Sequence, residues 1–147
     1  MFRGHFEHAI DDKGRTSLPA RFRDVLSGET MLLVTPALGD ACLDVYPEKE
    51  WKKLEAKLAE KNAFDQEVID FTRFYVSAAV ECELDKQGRI LIPPTLRAHA
   101  HLDKSALWLG HGHRVELWSQ EEWSSLSKQK TPAELRELRA SMGRLGL

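Results

Sequence analysis

Cysteine is scarce in this sequence: Cys42 and Cys82 are the only two among 147 residues. They lie far apart with no CxxC spacing, which argues against a thiolate metal site or a disulfide framework. Both read as small buried apolar residues. Long apolar runs are missing as well, and none approaches the roughly 18 residues of a membrane span. The opening MFRGHFEHAIDDKG has no apolar stretch of the signal-peptide kind, so the expected compartment is the cytoplasm. Nor is there an excess of one charge. Twenty-one Lys and Arg face 23 Asp and Glu, for a net charge of −2. A global field that gathers nucleic acid is excluded, and any such binding must rest on local charge.

Catalytic signatures are absent too. There is no Gly-x-Ser-x-Gly and no Walker loop, and Gly110-x-Gly112 lacks the third glycine and following helix of a dinucleotide loop. His99 and His101, then His111 and His113, follow an i, i+2 spacing with no carboxylate at ligand distance in sequence. They read as surface or loop histidines rather than metal ligands. The expectation is a protein that is not an enzyme and has no metal, cofactor or small-molecule substrate.

What the sequence does contain is a repeated phrase. Residues 11–23, DDKGRTSLPARFR, return 74 positions later as DKQGRILIPPTLR, residues 85–97. Asp11 falls on Asp85, Gly14 on Gly88, Arg15 on Arg89, Pro19 on Pro93 and Arg23 on Arg97. The likeness continues, with MLLV (31–34) and CLDVYPEKEW (42–51) answered by ALWL (106–109) and VELWSQEEW (115–123). Tyr46 and Trp51 match Trp118 and Trp123 at an offset of 72, so the second copy has lost two loop residues. The chain divides into a first repeat at 5–50, a helical linker at 51–78, a second repeat at 79–122 and a helical tail at 123–147. Units below about 70–80 residues rarely sustain a core alone. Two copies are also too few for a solenoid, so the halves are expected to share one core in an α+β fold. Hydrophobic content of 42% supplies it.

Locally, Phe6 and Ile10 share a face of a weakly patterned strand. Asp-x-x-Gly then predicts a type I turn closing on a left-handed glycine, with the Asp carboxylate accepting backbone N–H groups. Asp11, Gly14, Asp85 and Gly88 are therefore structural turn residues. Arg15 and Arg89 open the returning strands on the face opposite Leu18 and Ile92. Pro19 and Pro93 are read into the first turn of short helices. Trp51, Leu54 and Leu58 form one amphipathic stripe, and Phe64, Val68, Phe71 and Tyr75 another. Ser119 to Glu122 and Thr131 to Glu134 read as capping boxes. The apolar stripe Leu135, Leu138, Met142 and Leu145 suggests that the tail helix docks on the body or on a neighbouring subunit. Whether Trp51, Trp118 and Trp123 serve core or interface stays open.

MFRG at the start, Asp-x-x-Gly-Arg-x-x-Leu-Pro-x-x-Phe-Arg, Tyr-Pro-x-x-x-Trp and the second Asp-x-x-Gly-Arg-Ile-Leu-Ile-Pro together resemble the MraZ family from Met1 to about Trp123. These are bacterial regulators built from two tandem SpoVT-AbrB-type units. The resemblance implies a swapped-hairpin β-barrel in which the two units pair as two AbrB-type subunits would. It also implies ring-like homo-oligomers and binding of double-stranded DNA upstream of the cell-division and cell-wall gene cluster. Repression there, including of the chain's own promoter, and a place on the nucleoid go with it. A second class is an antitoxin-type module that tethers a protein partner. It expects an extended tail, where residues 131–145 read as a capped helix. A third, an enzyme on the related double-psi barrel, lacks a catalytic constellation.

Local charge supports a DNA-facing site. Residues 1–23 hold five cations against three acids, whereas residues 40–70 hold five against nine. A two-stranded ribbon fits a major groove about 12 Å wide, and Arg bonds bidentately to guanine. The DNA-binding candidates are Arg15 and Lys13 at the first tip, supported by Arg3 and Arg21, and Lys86 and Arg89 at the second. The first tip is favoured because Arg3, Arg21 and Arg23 would add to its field, and the tips are expected at opposite ends of the body. Two plainer readings stand beside this. Arg15 pairs with Asp11 across its own turn, and Arg23 and Arg97 cap their short helices. Head-to-tail subunits would read direct repeats about one helical turn apart.

Overall fold

In each half, β-branched and aromatic runs form four strands, and proline or a hydroxyl residue stops a strand and starts a helix. In a computed structural model covering residues 1–147, the first half contains β1 (His5–Ala9), β2 (Arg15–Ser17), α1 (Ala20–Leu26), β3 (Met31–Pro36) and β4 (Cys42–Pro47). The linker holds α2 (Glu48–Ala59), α3 (Gln66–Phe71) and a π-helical turn, Thr72–Val76. The second half repeats the plan as β5 (Val80–Glu83), β6 (Arg89–Leu91), α4 (Pro94–His99), β7 (Ser105–His111) and β8 (Arg114–Trp118). Helices α5 (Gln120–Gln129) and α6 (Pro132–Arg144) follow. Ser119 and Thr131 cap them by accepting the N–H groups of Glu122 and Glu134. Pro19 and Pro93 sit one position earlier than the sequence suggests, as the residues just before α1 and α4, and Pro94 takes the first helical position.

The strands form an antiparallel six-stranded sheet, ordered β1-β7-β8-β4-β3-β5, and a separate ribbon, β2-β6. The order reads the same from either end once each strand is replaced by its repeat equivalent. The halves exchange their first strands: β1 pairs with β7, and β5 with β3. The sheet is open, with β1 and β5 at its edges. In the ribbon Thr16 lies opposite Ile90, which is also its equivalent at the 74-residue offset, so the pseudo-dyad passes between them.

One core serves both halves. Leu18, Phe22, Leu32 and Leu43 from the first pack with Ile90, Ile92, Trp108 and Leu117 from the second. Burying each of these contributes about 1.5–3 kcal/mol, and neither half has enough of them alone. Phe22 is wedged edge-on between Phe2 and Phe6. Trp51 is buried against Tyr46 and Tyr75, and Trp118 is buried against the partly buried Trp123, so the tryptophans belong to packing within the chain. Phe64 departs from the expected stripe. It sits in the turn between α2 and α3 and is 90% exposed, because its backbone N–H is taken by Asn62 Oδ1 before the helix begins.

Candidate nucleic-acid interface

Both DxxGR phrases fold into the same turn. Asp11 C=O accepts the N–H of Gly14, and Asp11 N–H donates to Arg15 C=O, each at 2.9 Å. Asp11 Oδ1 accepts the N–H groups of Lys13 and Arg15, while Oδ2 accepts Arg15 Nε at 2.7 Å. Asp85 repeats each of these bonds with Gln87, Gly88 and Arg89. The glycines take φ of +89° and +77°, where a side chain is strained. The backbone N–H of Arg15 or Arg89 does most to hold each carboxyl below its ordinary value of 3.8.

The Asp–Arg pairing expected as the plainer reading is therefore present at both turns. It leaves the cation usable. Only Nε of Arg15 is engaged, and its two Nη groups donate to nothing else in the chain. The pairing holds a guanidinium fork in place at the start of a strand.

The ribbon then sets the two forks side by side. Arg15 stands opposite Leu91, and Arg89 opposite Ser17. Directly opposed residues share a face, so all four lie on one surface while Thr16 and Ile90 face the core. Strand spacings put the Cα atoms of Arg15 and Arg89 roughly 8 Å apart. The two turns lie at opposite ends of this antiparallel ribbon, while the dyad that relates them keeps both arginines on one face.

The remaining candidates distribute unevenly. Lys13 and Lys86 are exposed at the two turns. Arg21 lies on α1, which starts beside the second turn, since Leu18 N–H donates to Gly88 C=O. Arg23 reaches over that same turn, with Nη1 3.5 Å from Gln87 O. Arg3 is exposed near the other end of β1, beside Gly110, roughly 25 Å of strand from Asp11. Thus Arg3, Arg21 and Arg23 do not gather at the first tip.

Arg97, which is not among the sequence candidates, also reaches the ribbon. It donates Nε to Ile92 O at 2.9 Å and lies over Gly14, mirroring Arg23 over Gly88. Neither arginine caps its own helix. The signal was present in the 74-residue offset that pairs them. Around the ribbon, Lys13, Arg15, Arg21, Arg23, Lys86, Arg89 and Arg97 face Asp11, Asp12, Asp24 and Asp85, a local balance of +3.

Other chemistry is accounted for by internal contacts. Asp44 is buried, accepts Tyr75 Oη–H and lies 3.4 Å from Arg114 Nε, an ion pair without hydrogen-bond alignment. Cys42, Asp44 and Glu116 come close enough to hold a cation. The donor set does not suit one, because Arg114 already balances Asp44, Trp118 Nε1 donates to Glu116, and burial pushes the Cys42 thiol up. Burial likewise pushes the Cys82 thiol up to about 11. His101 pairs with Glu122, His99 meets the Asp40 carbonyl, and His113 lies 3.9 Å from Glu50.

Two α+β units that exchange strands about a pseudo-dyad, and that carry a basic ribbon across it, define a two-repeat binding module. The family model described as "MraZ protein, putative antitoxin-like" matches this chain twice, over residues 1–74 and 75–142. The chain is 49% identical over 133 residues to the transcriptional regulator MraZ of Heliobacterium modesticaldum, covering 90% of this chain and 91% of that protein. It is 51% identical to the protein of the same name from Desulfitobacterium hafniense, with the same coverage. Identity to that of a Thermoanaerobacter species is 50%, over 86% and 87% of the two chains. The chain belongs to the MraZ family. These relatives are named as regulators of transcription, not as enzymes.

Proposed function

We propose that this chain is a sequence-specific regulator of transcription that reads double-stranded DNA with the outer face of the β2–β6 ribbon. The observation that carries the reading is the pair of arginines, Arg15 and Arg89, oriented by Asp11 and Asp85 on one face, their side chains 34% and 31% exposed. A ribbon of this width enters a major groove, and each fork can take guanine O6 and N7 or a phosphate. Lys13, Lys86, Arg21, Arg23 and Arg97 add phosphate contacts on both sides, while Arg3 belongs to a different part of the surface.

The barrel belongs to the same proposal. The bonds between Asp11 N–H and Arg15 C=O, and between Asp85 N–H and Arg89 C=O, join each sheet edge to the ribbon. The ribbon would thereby close the open sheet. One chain offers a small number of phosphate contacts. A ring of copies multiplies them through effective concentration. Copies related head-to-tail present the ribbon in one orientation, which favours direct repeats about one helical turn apart. The MraZ resemblance supplies the target: repression of the division and cell-wall gene cluster from its own promoter, in the cytoplasm and on the nucleoid.

The test is a titration of duplexes carrying the promoter repeats as direct, inverted, and half-turn-shifted copies. Direct repeats should bind tightest, with affinity falling steeply as salt rises. Equal binding to all three would overturn the direct-repeat reading. An antitoxin-type module is the second reading, favoured by the wording of the family description. It predicts capture of a protein partner and no salt-dependent DNA binding.

A further inference from the structure

Away from the ribbon, two surfaces lack partners. Helix α6 has 13 residues and buries none of them. A helix of that length is marginal on its own. It leans over α5 and leaves an apolar groove between Trp123, Leu126, Leu135 and Leu138, with a volume of about 430 Å³. Leu135 and Leu138 are both more than half exposed. The other surface is the turn between α2 and α3. Asn62 fixes that turn with its side chain and its carbonyl, so Phe64 is a held knob rather than a loose one.

Charge distinguishes the two surfaces. From Lys128 to Arg144 the tail has five cations and two acids. From Glu55 to Val76 the linker has five acids and three cations. Within the chain, Arg136 and Arg139 form no ion pair, and neither do Glu55, Glu60, Asp65, Glu67 and Asp70.

We infer that the linker turn of one copy docks on the tail of the next, with Phe64 seated in the α5–α6 groove and the linker acids facing Arg136 and Arg139. This names the joint of the homo-oligomer and rests on that part of the function proposed above. The two faces differ, so the contact is head-to-tail and repeats around a closed ring or along an open chain. It also gives α6 the burial its stability requires. The groove takes an aromatic side chain, and the opposite charges set the orientation of the approach.

The test measures mass by sedimentation in the absence of DNA, so its outcome is separate from any failure of DNA binding. Phe64→Ser removes a side chain that packs on nothing in its own chain, and it should leave the fold unchanged by circular dichroism. Wild type should be oligomeric. Phe64→Ser, the tail reversal Arg136→Glu with Arg139→Glu, and the linker reversal Glu67→Lys with Asp70→Lys should each weaken assembly at least about tenfold. Mixing the two reversed proteins should restore it, because each then meets a complementary face. The inference is overturned if wild type is monomeric, or if Phe64→Ser assembles normally. It is also overturned if only the tail variant dissociates, which would indicate tail-to-tail pairing, or if the mixture stays apart.

Discussion

The turn at Asp11–Arg15 and the turn at Asp85–Arg89 share their defining hydrogen bonds, yet their surroundings differ. The first carries two acids and two cations, and Arg97 of α4 lies over it. The second carries one acid and two cations, and it lies beside α1 with Arg21 and Arg23. Read along the chain, Arg21 and Arg23 follow the first turn. In the fold they serve the second, because each returning strand delivers its helix to the other repeat's turn. Identical bonds show what the phrase is for structurally: it places an arginine fork at a strand start. Unequal charge makes the two ends of one ribbon distinguishable.

The strongest way to break the equivalence is through the shared core. Phe22 and Leu96 are repeat equivalents, both buried, but only Phe22 is wedged edge-on between Phe2 and Phe6. Phe22→Ala should cost about 3–5 kcal/mol and Leu96→Ala about 2–4 kcal/mol, measured by urea unfolding. Equal losses would mean that the aromatic wedge adds nothing. Next in size are the turn glycines. An added Cβ would lie 2.7 Å from Arg97 Cζ at Gly14, and would collide with the Arg23 guanidinium at Gly88. Both substitutions also strain a positive φ, for about 1–3 kcal/mol each. Gly14→Ala should cost more, since Arg97 is held at 2.9 Å by Ile92 O whereas Arg23 has one 3.5 Å contact and can swing away.

A smaller effect comes from the dyad itself. Thr16 faces the core opposite Ile90, and its hydroxyl has no partner. Thr16→Val should raise the unfolding free energy by about 1 kcal/mol, and a loss of stability would show that the hydroxyl is satisfied. The smallest effect is acid sensitivity. Asp11 and Asp85 titrate below 3.8 when folded, so their contribution is present above the unfolded value and is lost as pH falls through the folded one. Stability measured from pH 5 to pH 2 should fall less steeply in Asp11→Asn and Asp85→Asn than in wild type.

The turns were legible because Asp-x-x-Gly acts through its own backbone, and the buried strands because MLLV and ALWL are short apolar runs. Burial of Cys42 and Cys82 followed from their spacing, and both are buried. The exchange of β1 and β5 is not legible from periodicity, since pairing between residues as distant as His5 and Leu109, or Met31 and Glu83, leaves no local trace. It came only through family resemblance. The same non-local step hid the positions of Arg21, Arg23 and Arg97, which depend on which repeat's turn each helix meets. Phe64 was misplaced because its i, i+4 spacing to Val68 mimics a helix that a preceding Asn62 turn forestalls.

The most direct test of the ribbon is a salt-resolved titration of promoter duplex with wild type, Arg15→Ala and Arg89→Ala, with mass checked in parallel. Each variant should keep its oligomeric size and lose about 1–3 kcal/mol of binding per reading site, and the salt slope should shrink where a phosphate contact goes. Wild-type affinity and slope in both variants would contradict the account. The repeated phrase would then be a folding signature alone, and DNA would have to meet another face.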